Sequence, residues 1–148
     1  MAHQTYRVDA VTSAGIEMVF GVLVDAPGWA DWAPGVGVAS YEVEGEPRPH
    51  GVGAVRSLGA RIGPRSREEV VEFDAPRFYA YEIRSAPIPA RGYRAEVRLA
   101  PTASGGTAID WTGRFDSRVP GVAWFLRRTV AGFARGLVAE SERRASAR

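Results

Sequence analysis

Few residues in this chain can do covalent or proton-transfer chemistry, and their spacing rules out most familiar sites. The only histidines are His3 and His50, and there is no cysteine. His3 falls in a stretch expected to be a disordered tail, and His50 in the turn-rich loop Gly45-Glu46-Pro47-Arg48-Pro49-His50-Gly51. No Ser–His or Cys–His nucleophile pair can be assembled from these positions. No histidine and carboxylate group has metal-ligand spacing, so no metal site is expected. Without cysteine there is no disulfide framework, thiolate nucleophile or zinc–thiolate site. Gly51 and Gly53 precede a strand instead of opening a helix, so they do not form a phosphate cradle. No cofactor is implied.

What remains is a set of charged and phenolic side chains on strands. If Val71 and Phe73 face inward, a period of two puts Glu69 on the same side and turns Glu68, Val70 and Glu72 outward. A carboxylate in an apolar pocket has a raised pKa and can serve as acid or base. The alternative is that Glu69 sits wet at the strand end, paired with an arginine. Arg56 poses the same question. If Ala54 and Leu58 face in, so does Arg56, and an Arg56–Glu69 pair inside the pocket follows; if Val55 and Ser57 face in, Arg56 is a solvated strand charge. Tyr79, Tyr81 and Tyr93 share the expected inner face with Ile109 and Trp111. Their hydroxyls either hydrogen-bond a ligand or simply reach the surface or a backbone carbonyl.

The elements that position these groups follow from periodicity. Residues 120–145 place Val122, Phe125, Leu126, Thr129, Val130, Phe133 and Leu137 on one broad helical face, with Arg127, Arg128 and Arg135 opposite. Gly132 and Gly136 flank that face, one turn apart. Each weakens the helix by about 1 kcal/mol relative to alanine. Either another element approaches closely there, or empty volume lies beside the helix and forms a ligand site. Seven strands are expected over 5–11, 36–44, 53–61, 66–73, 77–84, 92–100 and 107–116, joined mostly by short Gly/Pro turns. Two short helices fall between the first and second strands. One carries Ile16, Val19, Phe20 and Leu23, and the other carries Trp29 and Trp32. The fold class is α+β: a curved antiparallel seven-stranded sheet gripping the long C-terminal helix, in one domain over 1–148. Trp29 and Trp32 are expected to plug one end of the sheet, with Trp32 at the cavity mouth. Trp124 falls on the arginine side of the helix, where it packs under a loop or marks a homodimer contact.

Composition narrows the setting. All 19 basic residues are arginine, and they are interleaved with acidic residues to a net charge of +2. No basic stripe forms, so no nucleic-acid partner is expected. No apolar run approaches the roughly 20 residues of a membrane span. The start MAHQTYRVDAV lacks a signal-peptide pattern, and a cytoplasmic protein is expected.

Several stretches, in their order, resemble the START-type, polyketide cyclase/dehydrase-like (SRPBCC) superfamily with its helix-grip fold. They are 24–36 (VDAPGWADWAPGV), 51–56 (GVGAVR), 67–78 (REEVVEFDAPRF) and Gly105-Gly106-Thr107 leading into Trp111 and the long helix. The resemblance covers nearly the whole chain. It departs in the first helix, which lacks a proline near its start and has Phe20 near where many members carry tryptophan. It implies a cavity between sheet and terminal helix that takes apolar or aromatic small molecules, and it implies no single reaction. Three readings follow. The first is a small-molecule binder whose lining includes Trp32, Glu69, Val71, Tyr79, Tyr81, Tyr93, Val97, Ile109, Trp111, Phe125, Thr129 and Phe133. The second is a cyclase or dehydratase that moves protons with Glu69, Arg56 or a tyrosine. The third is a toxin-like interaction module whose interior is filled.

Overall fold

The structure, a computed structural model, describes all 148 residues. Alternating apolar residues make seven strands: β1 (Ala2–Thr12), β2 (Val38–Val43), β3 (Val55–Gly59), β4 (Ser66–Asp74), β5 (Phe78–Ser85), β6 (Arg91–Pro101) and β7 (Thr107–Ser117). They form one antiparallel sheet in the order β1-β7-β6-β5-β4-β3-β2. Strands β2 to β7 run as a meander, as short turns require. β1 closes onto β7, so the first two strands of the chain end up at opposite edges. The excursion between them is α1 (Ile16–Val24) and α2 (Trp29–Trp32), and the chain ends in α3 (Val122–Ser146).

β1 reaches three residues further back than its periodicity suggests. His3 is therefore not in a loose tail: it pairs with Asp116 on β7, with Nδ1 3.1 Å from the carboxylate. Tyr6 and Val8 point into the core. The inner face of the sheet is covered by more than the terminal helix. Val19, Phe20, Val22 and Leu23 of α1 are buried in the same core as Trp29, Val97, Trp111, Leu126 and Leu137. Phe20 packs edge-on against Phe73 at 5.3 Å and Tyr79 at 6.4 Å.

α3 departs from its expected single face. Val122, Leu126, Val130, Ala134 and Leu137 form the buried stripe. Phe125, Thr129 and Phe133 form a second, flanking stripe that is only partly covered, with Phe125 56% exposed. The helix start is fastened by Gln4, whose amide oxygen accepts from Ala123 N–H at 2.9 Å while its nitrogen donates to Val119 O at 2.9 Å. One donor left over at every helix start is thereby satisfied.

The glycines of α3 mark close approach, not empty space. A Cβ on Gly136 would meet Trp32 O at 2.7 Å, and one on Gly132 would meet Pro34 at 3.7 Å. The 32–34 segment lies against the helix where those side chains are missing.

Candidate ligand-binding site

β4 decides which charges face inward. Val70 and Phe73 both point into the core, although three positions separate them. The pairing with β5 shifts between Val70 and Glu72, a β-bulge that leaves Val71 and Glu72 together on the outer side. Counting by twos back from Phe73 therefore gives the wrong side for the first half of the strand. Glu69 is not an inner-face carboxylate. It is partly exposed and held by Arg84, whose Nε lies 2.9 Å from its oxygen. Val71 likewise lies toward the outer surface, beside Glu96 and Arg98. The inward carboxylate is Glu68.

Arg56 takes the inward register together with Ala54 and Leu58, and its cross-strand partner is Glu68. The guanidinium is wholly buried. Its carbon lies 4.9 Å from the Trp29 ring centroid and 5.3 Å from those of Tyr79 and Tyr81. Nη2 donates to Glu68 Oε1, and Nη1 donates to Leu23 O at 3.4 Å. Burial opposes the charge, yet the Arg56 pKa lies above the ordinary arginine value, with the Glu68 carboxylate attracting and hydrogen-bonding the guanidinium. Burial pushes Tyr79 and Tyr81 up as well, so both are neutral phenols at neutral pH. Glu68 is then the countercharge. A charge this deep is tolerated only when paired.

Next to this pair lies a cavity of about 270 Å³ between α3 and the inner face of the sheet. The sheet contributes Leu58, Ser66, Glu68, Tyr81, Ile83 and Tyr93; the helix contributes Phe125, Leu126, Thr129, Val130 and Phe133. Trp29, the 34–36 segment and Ile88 complete the wall. Tyr81 OH accepts from Trp111 Nε1 at 3.3 Å, and the hydroxyls of Tyr6 and Tyr93 are 2.5 Å apart. Burial raises the pKa of Tyr6 and of Tyr93. A larger depression of about 560 Å³ crosses the outer face at Arg7, Arg94, Glu96, Arg114 and Arg127. It is polar and shallow, and Arg7 and Arg94 are already paired with Asp110, Glu72 and Glu96.

Of the residues expected to line a site, the structure brings Tyr81, Tyr93, Phe125, Thr129 and Phe133 together at this cavity. Tyr79, Val97, Ile109 and Trp111 belong to the solid core behind it. Trp32 packs at a tilt against Trp29, ring centroids 4.6 Å apart, under Gly136, and it is Trp29 that reaches the wall. Glu68, Leu58, Ile83, Ile88 and the 34–36 segment were not anticipated. Glu68 was hidden by the bulge, since the apolar residues at 71 and 73 outnumber the one at 70 and favour the opposite parity. Ile88 sits in a proline-bearing loop with no periodicity to read.

The profile of a family described as polyketide cyclase / dehydrase and lipid transport matches residues 3–144. The chain belongs to that family. Solved structures similar to this polyketide cyclase/dehydrase-family protein share its fold over almost their whole length. A Thermobifida fusca protein is 28% identical, with 94% of this chain and 91% of that one covered and a TM-score of 0.75. The Zhui aromatase/cyclase from a Streptomyces species is 19% identical, with 97% and 96% covered and a TM-score of 0.77. A START superfamily protein from Mycobacterium smegmatis is 12% identical, with 96% and 99% covered and a TM-score of 0.79. No curated protein matches the sequence. The fold is the START-like helix-grip fold, and no helix is long and apolar enough to cross a membrane.

Proposed function

We propose that this protein binds an apolar or aromatic small molecule between the sheet and α3, with Tyr81, Tyr93, Phe125, Thr129 and Phe133 as contact residues. The observation that supports this reading best is the unfilled volume beside α3, bounded mainly by apolar side chains. Such a hollow releases poorly hydrated water when an apolar ligand enters. A module that used the fold only for protein contact would gain stability by filling it. Native mass spectrometry of freshly purified protein is the test. A retained apolar molecule is expected. Bare protein mass, together with no rise in melting temperature on adding naphthalene-sized aromatics, would overturn the reading.

A cyclase- or dehydratase-type activity in the same cavity is the second reading, and it has a specific support. The Glu68 carboxylate stands at the wall with Arg56 behind it, where a carboxylate can take a proton from a bound ligand. Candidate acid–base chemistry thus passes from Glu69 to Glu68. Loss of turnover of an aromatic precursor in Glu68→Gln, with retained binding, is the expected result.

The proposal extends to a single cytoplasmic domain without a nucleic-acid partner. It also extends to a homodimer through Trp124, which is 65% exposed beside Phe125 with the Arg128 guanidinium 5.0 Å from its ring. Sedimentation of wild type and Trp124→Ala tests the dimer.

A further inference from the structure

The geometry points to a ligand that enters this cavity carrying a hydrogen-bond donor, an alcohol or phenol hydroxyl, which it gives to Glu68. This inference deepens the binding function proposed above and rests on it. Glu68 is the only acidic or basic side chain on the cavity wall. One of its oxygens, Oε1, is taken by Arg56, and Oε2 receives no hydrogen bond from the protein. Arg56 itself is out of reach. It has no exposed surface, does not line the cavity, and is enclosed by Trp29, Tyr79 and Tyr81. An anionic ligand would meet the carboxylate before the guanidinium.

Of the hydroxyls on the wall, those of Thr129, Tyr93 and Tyr81 already have a protein partner, whereas that of Ser66 has none and is, like the tyrosines, a neutral group. Thr129 Oγ1 donates to Phe125 O at 3.2 Å, and the Tyr93 hydroxyl is engaged with Tyr6. Tyr81 accepts from Trp111 and keeps one proton, a neutral donor that does not offset an anion's charge. A free carboxylate oxygen beside apolar surface rewards a donor strongly, because hydrogen bonds to ionised acceptors are about twice as strong as neutral ones. It penalises an acceptor-only head, which leaves the oxygen desolvated and unpaired. The cavity volume of about 270 Å³ suits two fused rings or a short chain.

Calorimetric titration of the intact protein with 2-naphthol, 2-methoxynaphthalene and naphthalene tests this. A plain greasy hollow favours the methyl ether, which is the more apolar of the oxygenated pair. Glu68 inverts that order, so 2-naphthol is expected to bind at least tenfold tighter than the ether. Glu68→Gln is expected to reduce the preference to less than threefold, and Tyr81→Phe to leave it in place. An ether that binds as tightly as the phenol in wild type overturns the donor assignment while leaving the cavity reading intact. So does a folded Glu68→Gln protein that keeps the tenfold preference, or a Tyr81→Phe protein that loses it. Should Glu68→Gln fail to fold, the wild-type order and Tyr81→Phe still decide. No binding by any of the three compounds overturns the cavity reading, and this inference with it.

Discussion

Arg56 and Glu68 form a pair in which neither member is independent. Removing the carboxylate alone strands a charge among three aromatic rings. Glu68→Ala should therefore destabilise by about 3–5 kcal/mol in urea denaturation, whereas the double change Arg56→Met, Glu68→Leu should lose far less. Gly113 is a second such position. A Cβ there would fall 2.2 Å from the Tyr6 ring, which lies across the strand from it. Gly113→Ala should push Tyr6 away from Tyr93 at a loss of about 1–3 kcal/mol, readable in melting temperature. His50 makes stability depend on pH. Its ring is near Tyr41 and Phe73, and its pKa is lowered from 6.5, chiefly by burial, with Asp25 opposing and Arg56 reinforcing. The unfolded chain binds this proton more readily than the folded one, so its contribution is full above pH 6.5 and falls away as pH drops below it. His50→Phe should flatten that acid-side decline in denaturation midpoints. At this scale the residue types were legible and their directions were not. One bulge at Val71 exchanged Glu69 for Glu68, and no local preference announces a bulge between Val70 and Glu72.

α3 shows what an element can and cannot report of itself. Its length and stripe were legible because periodicity is a property of the segment alone. Which part of the stripe is packed depends on α1 and β1, so Phe125, Thr129 and Phe133 came out at a cavity wall. The two glycines give a contrast. Gly132→Ala meets Pro34 at ordinary contact distance and should stabilise by about 0.5–1 kcal/mol through helix propensity. Gly136→Ala drives a methyl into Trp32 O and should destabilise despite the same propensity gain, as paired thermal melts would show. At the other end, Glu140 accepts from Arg143 and Arg144 at 2.8 Å. The Arg143 bond is the main influence holding its pKa down to about 2, with burial opposing and Arg144 assisting. A depressed carboxylate stabilises above its unfolded value of 4.5, and that contribution is lost as pH falls toward about 2. Glu140→Gln should thus be weaker than wild type at neutral pH and nearly equal to it near the folded pKa.

Across the whole molecule, all five tyrosines carry a pKa raised above 10.0, burial being the largest cause for each. The folded state keeps protons that the unfolded chain releases, so stability should fall as pH rises past 10.0. Phenolate absorbance should appear together with loss of tertiary circular dichroism; ionisation that precedes unfolding would contradict the burial of this set. The sequence by itself determined the order of elements, the antiparallel meander and the long amphipathic helix. Alternation, turn residues and the spacing of apolar side chains are local quantities, carried by neighbours along the chain. Only the tertiary structure decided that α1 shares the cover of the sheet, that Trp32 and Pro34 occupy the notch left by Gly132 and Gly136, and that Glu68 is the carboxylate at the cavity. Those outcomes depend on strand register and on contacts between distant segments, whose energies exist only once the chain has folded back on itself.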